Sequence, residues 1–275
     1  MDLITAHGMR MPKLGLGTWP MKGAECVEAV QTALGLGYRH IDTAEMYGNE
    51  AEVGEGIASS GVKRGDIHLT TKVWYDHLGA DAMQRAIEES LSRLRTDYVD
   101  LYLIHWPAPD MDLPGALQNL LRVKERGLAR AVGVSNFTVA MLRQAVEEIG
   151  APIACNQFEY HALLGQGRLV DYARSQGVAA TAYAPLARGQ LGDHEELRAI
   201  AQKHGATPAQ IALKWLLDQD GVAAIPKAAR RETQQANLDA LRIALDDTDR
   251  AAIAMLPKDR RVVNPGWAPR WDPVG

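Results

Sequence analysis

A chain of 275 residues, 47% apolar and 23% charged, has the size and balance of one large folded domain, and α/β barrels reach about 250 residues as a single unit. A net charge of −4 with no run of like charges argues against a nucleic-acid or membrane-surface partner. Cys26 and Cys155 form neither a disulfide framework nor a CxxC pair, residues 1–12 lack the apolar core of a signal peptide, and no apolar run nears the roughly 18 residues of a membrane span, so a soluble cytoplasmic protein with reduced thiols is expected.

Residues 3–11 read as a short hairpin turning at His7-Gly8, a plug for the bottom of a barrel. Strand-like and helix-like segments then alternate. A strand at 14–17 precedes a helix at 24–36, 39–42 precedes 50–59, 68–72 precedes 80–94, and 99–104 precedes 113–126. The pattern continues with 131–134 before 139–149, 153–156 before 167–176, 178–182 before 208–217, and 223–225 before 233–241. Eight strand–helix units in a chain of this length predict an α/β fold, a (β/α)8 TIM barrel forming one domain over residues 1–275. Helical patterns at 194–203 and 247–255 do not fit the eightfold repeat and are expected outside the ring.

Familiar cofactor and metal signatures are absent. Gly15-Leu16-Gly17 starts a GxGxxG motif, but Pro20 stands at the third glycine, which disfavours a Rossmann dinucleotide fold. There is no P-loop and no GxSxG. His194-Glu195 lacks the second histidine of a zinc helix, and no metal is expected.

Chemistry concentrates at predicted strand ends. Asp42 closes the second strand, Tyr47 follows in its loop, Lys72 closes the third strand, and His105 follows the fourth. The spacings from Asp42 to Lys72 and on to His105 are about thirty residues, one strand-plus-crossover unit. They therefore fall on one rim of a parallel sheet. An ammonium beside a phenol favours phenolate, so Lys72, oriented by Asp42, is expected to make Tyr47 more acidic than its free value of about 10. His105 can donate a hydrogen bond to a carbonyl. Taken singly, an Asp–Lys pair is equally well a structural ion pair and a lone histidine a satisfied polar residue; their coincidence on one rim carries the functional reading.

Several motifs resemble the aldo-keto reductases. They are Gly15-Leu16-Gly17-Thr18-Trp19, the run from Arg39-His40-Ile41-Asp42 to Tyr47-Gly48-Asn49-Glu50, Thr71-Lys72-Val73-Trp74 and Leu103-Ile104-His105-Trp106-Pro107. Gly133-Val134-Ser135-Asn136-Phe137, Asn156-Gln157 and Ile225-Pro226-Lys227 extend the likeness over almost the whole chain. The short tail with Trp267-Ala268-Pro269-Arg270-Trp271-Asp272 is similar to that of the bacterial 2,5-diketo-D-gluconate and methylglyoxal reductases.

The resemblance implies a reductase taking hydride from a nicotinamide. Tyr47 would donate the proton, Lys72 and Asp42 would tune it, and His105 would orient the carbonyl. Tyr183 would stack on the nicotinamide ring, with Ser135, Asn136 and Gln157 gripping its carboxamide. Gly17, Thr18, Ala184 and Leu186 would line the cofactor. Lys227 and Arg230 would meet a 2′-phosphate, and Asn237 the adenine. Trp19, Trp74 and Trp106 would wall the substrate pocket, and Trp267 and Trp271 would either close its rim or pin the tail. Ala228 stands where a serine is usual, Thr233 where an arginine is usual, and Ala236 where a glutamate is usual. NADPH is therefore expected over NADH by a reduced margin. A small-molecule carbonyl substrate and a monomer are expected. Two rivals remain: a Schiff-base aldolase using Lys72, which Asp42 disfavours by keeping the amine charged, and a non-catalytic nicotinamide-binding module.

Overall fold

The computed structural model describes residues 2–273. It opens with an antiparallel hairpin, β1 (Leu3–Ala6) and β2 (Met9–Pro12). His7 and Gly8 turn it at φ 44° and 85°, the left-handed pair that suits a two-residue turn between twisted strands. Ile4, Ala6, Met9 and Met11 pack on Leu101, Leu103, Ala131, Ala179 and Ala223, so the hairpin covers apolar side chains of the main sheet.

Eight parallel strands follow, adjacent in chain order: β3 (Leu16–Gly17), β4 (His40–Asp42), β5 (His68–Val73), β6 (Val99–Ile104), β7 (Ala129–Ser135), β8 (Cys155–Glu159), β9 (Ala179–Tyr183) and β10 (Val222–Ala224). The two edges of the sheet are linked. Parallel bridges pair Leu14 with Ala224 and Gly17 with Lys227, and the Gly15 and Gly17 amides donate to the Ala224 and Pro226 carbonyls. Gly17 is required at this seam, because a Cβ there would lie 2.5 Å from the Ile225 carbonyl oxygen. A curled parallel sheet with a helix after each strand is consistent with a (β/α)8 barrel.

The helices are α1 (Gly23–Leu36), α2 (Glu50–Ser59), α3 (Ala80–Leu94), α4 (Leu113–Glu125), α5 (Val139–Arg143), α6 (Gly167–Ser175), α7 (Glu195–Lys203), α8 (Pro208–Leu217), α9 (Arg231–Asp239) and α10 (Asp247–Ala254). Their apolar stripes meet the outward faces of the strands in one large core, where Val30, Leu34, Ile87, Leu117 and Leu213 are buried. Helices α7 and α10 are the expected additions. Leu197, Ile200 and Ile253 share a separate apolar cluster with Ile211 on α8. Capping boxes at Thr207–Gln210 and Asp246–Asp249 fix the starts of α8 and α10.

Some boundaries differ from the sequence reading. The sixth barrel strand runs over Cys155–Glu159 rather than 153–156: the Ile153 amide turns back to the Ala151 carbonyl, and cross-strand bonding starts with the Ala154 amide on the Val132 carbonyl. The fifth helix leaves α geometry at Arg143 and continues as a π turn through Glu148, ahead of Gly150 at φ 75°. An apolar period read over so few residues cannot separate the two. The last helix after a strand begins at Arg231, two residues before the expected start at 233, and closes in a 3-10 turn, Ala240–Arg242.

Candidate active site

Asp42 is the last residue of β4, Lys72 lies one residue inside the end of β5, and His105 follows β6 directly. Tyr47 ends a 3-10 turn after β4. All four converge. The Lys72 Nζ donates to Asp42 Oδ1 at 2.5 Å and to the Thr43 carbonyl at 2.7 Å, and lies 3.4 Å from the Tyr47 hydroxyl. Asp42 Oδ2 accepts from Gln157 Nε2 at 2.7 Å. The Tyr47 ring stands 5.4 Å from His105, edge to face, and 5.2 Å from Trp19.

The electrostatics depart from the sequence expectation at one point. Burial, with the Asp42 charge, pushes the Tyr47 phenol well above its ordinary value instead of below it. The ammonium lies 3.4 Å from the Tyr47 hydroxyl and 2.5 Å from Asp42, and burial is the largest cause of the shift. Burial also pulls Lys72 down, against Asp42. Burial, then the Lys72 charge, hold His105 well below its ordinary range, so it is neutral at pH 7. Its Nδ1 is buried without a partner.

A cavity of about 940 Å³ opens over this rim. Of the expected residues, Gly17, Thr18, Trp19, Asp42, Tyr47, Trp74, His105, Trp106, Asn136, Tyr183, Ala184, Leu186 and Lys227 line it. Lys72 lies beneath, fully buried. Ser135 and Gln157 are also buried, and the Ser135 hydroxyl donates to the Gln157 carbonyl at 2.8 Å. Asn136, at φ 64°, donates to the His105 carbonyl at 2.9 Å and accepts from the Tyr183 hydroxyl at 2.8 Å. Ala228 packs in the main core, 2% exposed, and Ala228, Arg230 and Asn237 lie outside the cavity lining. Arg230 is exposed at the start of α9, and Asn237 is buried on that helix.

Part of the wall was not anticipated. Val262, Val263, Asn264 and Pro265 from the C-terminal tail line the cavity, as do Met46 and Arg188. Trp267 lines it too, 6.4 Å from Trp74. Trp271 instead pins the tail: it packs 6.0 Å from Trp106, and the Arg261 guanidinium sits 3.9 Å from its ring. No local pattern marks residues 262–265, and only the fold brings them over the rim.

The Aldo/keto reductase family model matches residues 13–257. The chain belongs to the aldo/keto reductase family. It is 44% identical over 268 residues to the methylglyoxal reductase DkgB of Escherichia coli O157:H7, covering 96% of this chain and 100% of that protein. It is 42% identical over 265 residues to the glyoxal reductase of Bacillus subtilis (strain 168), covering 95% of each. A crystal structure provisionally assigned as a 2,5-diketo-D-gluconic acid reductase B superposes with a TM-score of 0.96 at 42% identity, over 99% of this chain and 98% of that one. The aldose reductase of Schistosoma japonicum superposes at 0.92 with 31% identity, over 98% and 99%. As an aldo/keto reductase the protein is an oxidoreductase acting on carbonyl groups.

The residues present suit the nicotinamide cofactor that aldo/keto reductases generally use. Asn237 Nδ2 is buried with no partner, an unmet donor on α9. Arg230 caps α9 without a side-chain hydrogen bond, so amides of the first turn remain open to an anion. Lys227 and Arg230 are exposed beside it and make no ion pair among the described residues. Among those residues no group of three or more His, Cys, Asp or Glu converges as a metal site, and no helix is long and apolar enough to cross a membrane.

Proposed function

We propose that this aldo/keto reductase reduces aldehydes and ketones to alcohols with NADPH in preference to NADH. Its substrates would be small aldehydes, 2-oxo-aldehydes such as methylglyoxal, or diketo-sugar acids. The observation that carries the reading is the Tyr47 hydroxyl on a cavity wall, 3.4 Å from a lysine that is itself paired with a buried aspartate. The names of the relatives, methylglyoxal and glyoxal reductases, support the substrate class. A reduced nicotinamide, when bound, supplies hydride to the carbonyl carbon.

The chain's own part is proton delivery and orientation. A raised phenol value keeps Tyr47 loaded with its proton at neutral pH. As negative charge develops on the carbonyl oxygen, the phenol gives up that proton, and Lys72 at 3.4 Å offsets the charge left on the phenolate. Asp42 and the Thr43 carbonyl fix the ammonium. Neutral His105 donates a hydrogen bond to the carbonyl and sets its face. Trp19, Trp74, Trp106 and Trp267 supply apolar walls with few polar groups, which suits broad selectivity. Tyr183, Ser135, Asn136, Gln157, Gly17, Thr18, Ala184 and Leu186 serve the nicotinamide half, and Lys227, Ala228, Arg230 and Asn237 the adenosine half. The protein acts as a monomer, one closed (β/α)8 domain, in the cytoplasm.

Lys72 is a poor Schiff-base nucleophile, because it is fully buried, paired and absent from the cavity wall. A turnover screen of aldehydes with NADPH and NADH, read at 340 nm, tests the proposal. Oxidation of neither cofactor with any aldehyde would overturn it, and borohydride trapping of a substrate on Lys72 would establish the aldolase instead.

A further inference from the structure

Glu159 is a buried carboxylate that the proton-transfer steps leave unused. It is the last residue of β8, on the same rim as Asp42 and His105, and its side chain is fully buried. Its oxygens face the C-terminal tail. Oε1 accepts from the Val262 amide at 2.6 Å and lies 3.0 Å from His161 Nε2. Oε2 accepts from the Val263 amide at 2.9 Å, with Arg261 Nη1 3.8 Å away. Two consecutive amides, more than a hundred residues distant in sequence, thus close on one carboxylate.

The segment they hold is part of the cavity wall, which Val262 and Val263 line together with Trp19, Trp74, Trp106 and Trp267. Residues before it are tied separately, through Arg260 N–H to the Leu163 carbonyl at 2.9 Å. Beyond it, the Val139 amide donates to Asp272 at 2.8 Å. Between these anchors Trp267 and Trp271 hold the segment through side chains, with Trp271 Nε1 donating to Asn264 Oδ1 at 2.9 Å, while Glu159 holds the backbone amides of residues 262 and 263 themselves. Pairing a buried carboxylate with adjacent amides gives short, directional bonds, and a neutral side chain does not reproduce them.

We infer that Glu159 is a positioning residue: it latches residues 262–263 against the rim and so sets the width of the substrate pocket. The inference rests on the reductase reading for its kinetic arm, but the latch itself is measurable without turnover. A charge-assisted hydrogen bond corresponds to roughly 10–100-fold in a local opening equilibrium. In Glu159→Gln, whose amide keeps the shape and one acceptor, amide hydrogen exchange at Val262 and Val263 should rise by roughly tenfold or more, with the β-sheet amides unchanged. The KM for an aldehyde should rise several-fold while kcat and the Kd for NADPH, read by tryptophan fluorescence, stay within about twofold. Glu159→Asp, charged but one carbon shorter, should fall between wild type and Glu159→Gln in both measurements.

Unchanged exchange at residues 262–263 in Glu159→Gln would overturn the latch. Faster exchange with an unaltered KM would overturn its role in the pocket. A matched loss of kcat and cofactor affinity, with exchange raised throughout the barrel, would mark Glu159 as a general structural residue and overturn the inference as well. If the wild-type protein reduces no carbonyl, the reductase reading fails by itself, and the exchange result still decides whether the latch exists.

Discussion

Replacing Lys72 by methionine separates the chemistry of the site from its stability. The ammonium is fully buried, 2.5 Å from an Asp42 carboxylate that is 1% exposed. Removing it leaves Asp42 with the Gln157 amide donor at 2.7 Å and no counter-charge. Breaking a buried pair from one side costs about 3–5 kcal/mol. At about 2–4 °C per kcal/mol for a large domain, Tm should fall by roughly 6–20 °C. A double variant, Lys72→Met with Asp42→Leu, removes both charges and should regain most of that Tm. Turnover should not recover, because neither variant can offset charge on the Tyr47 phenolate; both should lose at least roughly 10²-fold. The assays are thermal unfolding by circular dichroism and cofactor oxidation at 340 nm. Full turnover in Lys72→Met would refute the proton-transfer scheme. An unchanged Tm would show that the pair is not closed and buried as described.

Tyr47→Phe keeps the ring and removes the donor, so turnover should drop by roughly 10²–10⁴-fold with NADPH affinity retained; steady-state kinetics and fluorescence titration check both halves. Arg230→Ala should raise the KM for NADPH and leave that for NADH nearly alone, as compared in parallel kinetics. Thr233→Arg should widen the preference for NADPH, measured as the ratio of the two kcat/KM values, since a guanidinium suits phosphate oxygens. Stability should also fall in acid. Burial holds His40, His68 and His105 below their ordinary value, with the Lys72 charge acting further on His105, so the unfolded chain binds protons that the folded one refuses. Their contribution is present in full above an unfolded pKa of about 6.5 and is lost as pH drops below it, by up to about 1.4 kcal/mol per pH unit for each histidine. Urea unfolding at pH 7.5, 6.0 and 5.0 would show this, and a flatter slope is expected in His40→Leu.

The reach of the sequence follows from how local each signal is. Asp42, Lys72 and His105 were legible because a parallel sheet with crossover helices returns its strand ends to one rim at a regular interval. The eight strands needed only apolar runs bounded by turns, and the capped starts of α8 and α10 are written in Thr207-Pro208 and Asp246-Asp247. The acidity of Tyr47 was misread because a sequence gives charges without distances. Burial, with the Asp42 charge beside it, decides the direction.

The tail is the sharper case. Val262 and Val263 carry no motif, and the carboxylate that holds them lies 103 and 104 residues earlier, respectively, at a strand end that the sequence reading placed three residues too soon. With that strand ending at Asn156, Glu159 falls in an unremarkable loop. With it ending at Glu159, the carboxylate stands on the catalytic rim, beside Tyr183 in register on β9. An error of three residues in one boundary was thus enough to hide a wall of the pocket. The proton-transfer residues tolerate such errors because each is defined by its chemistry. A residue that acts by holding another segment is defined only by what it touches, and that contact exists only after the sheet has curled and the tail has crossed it.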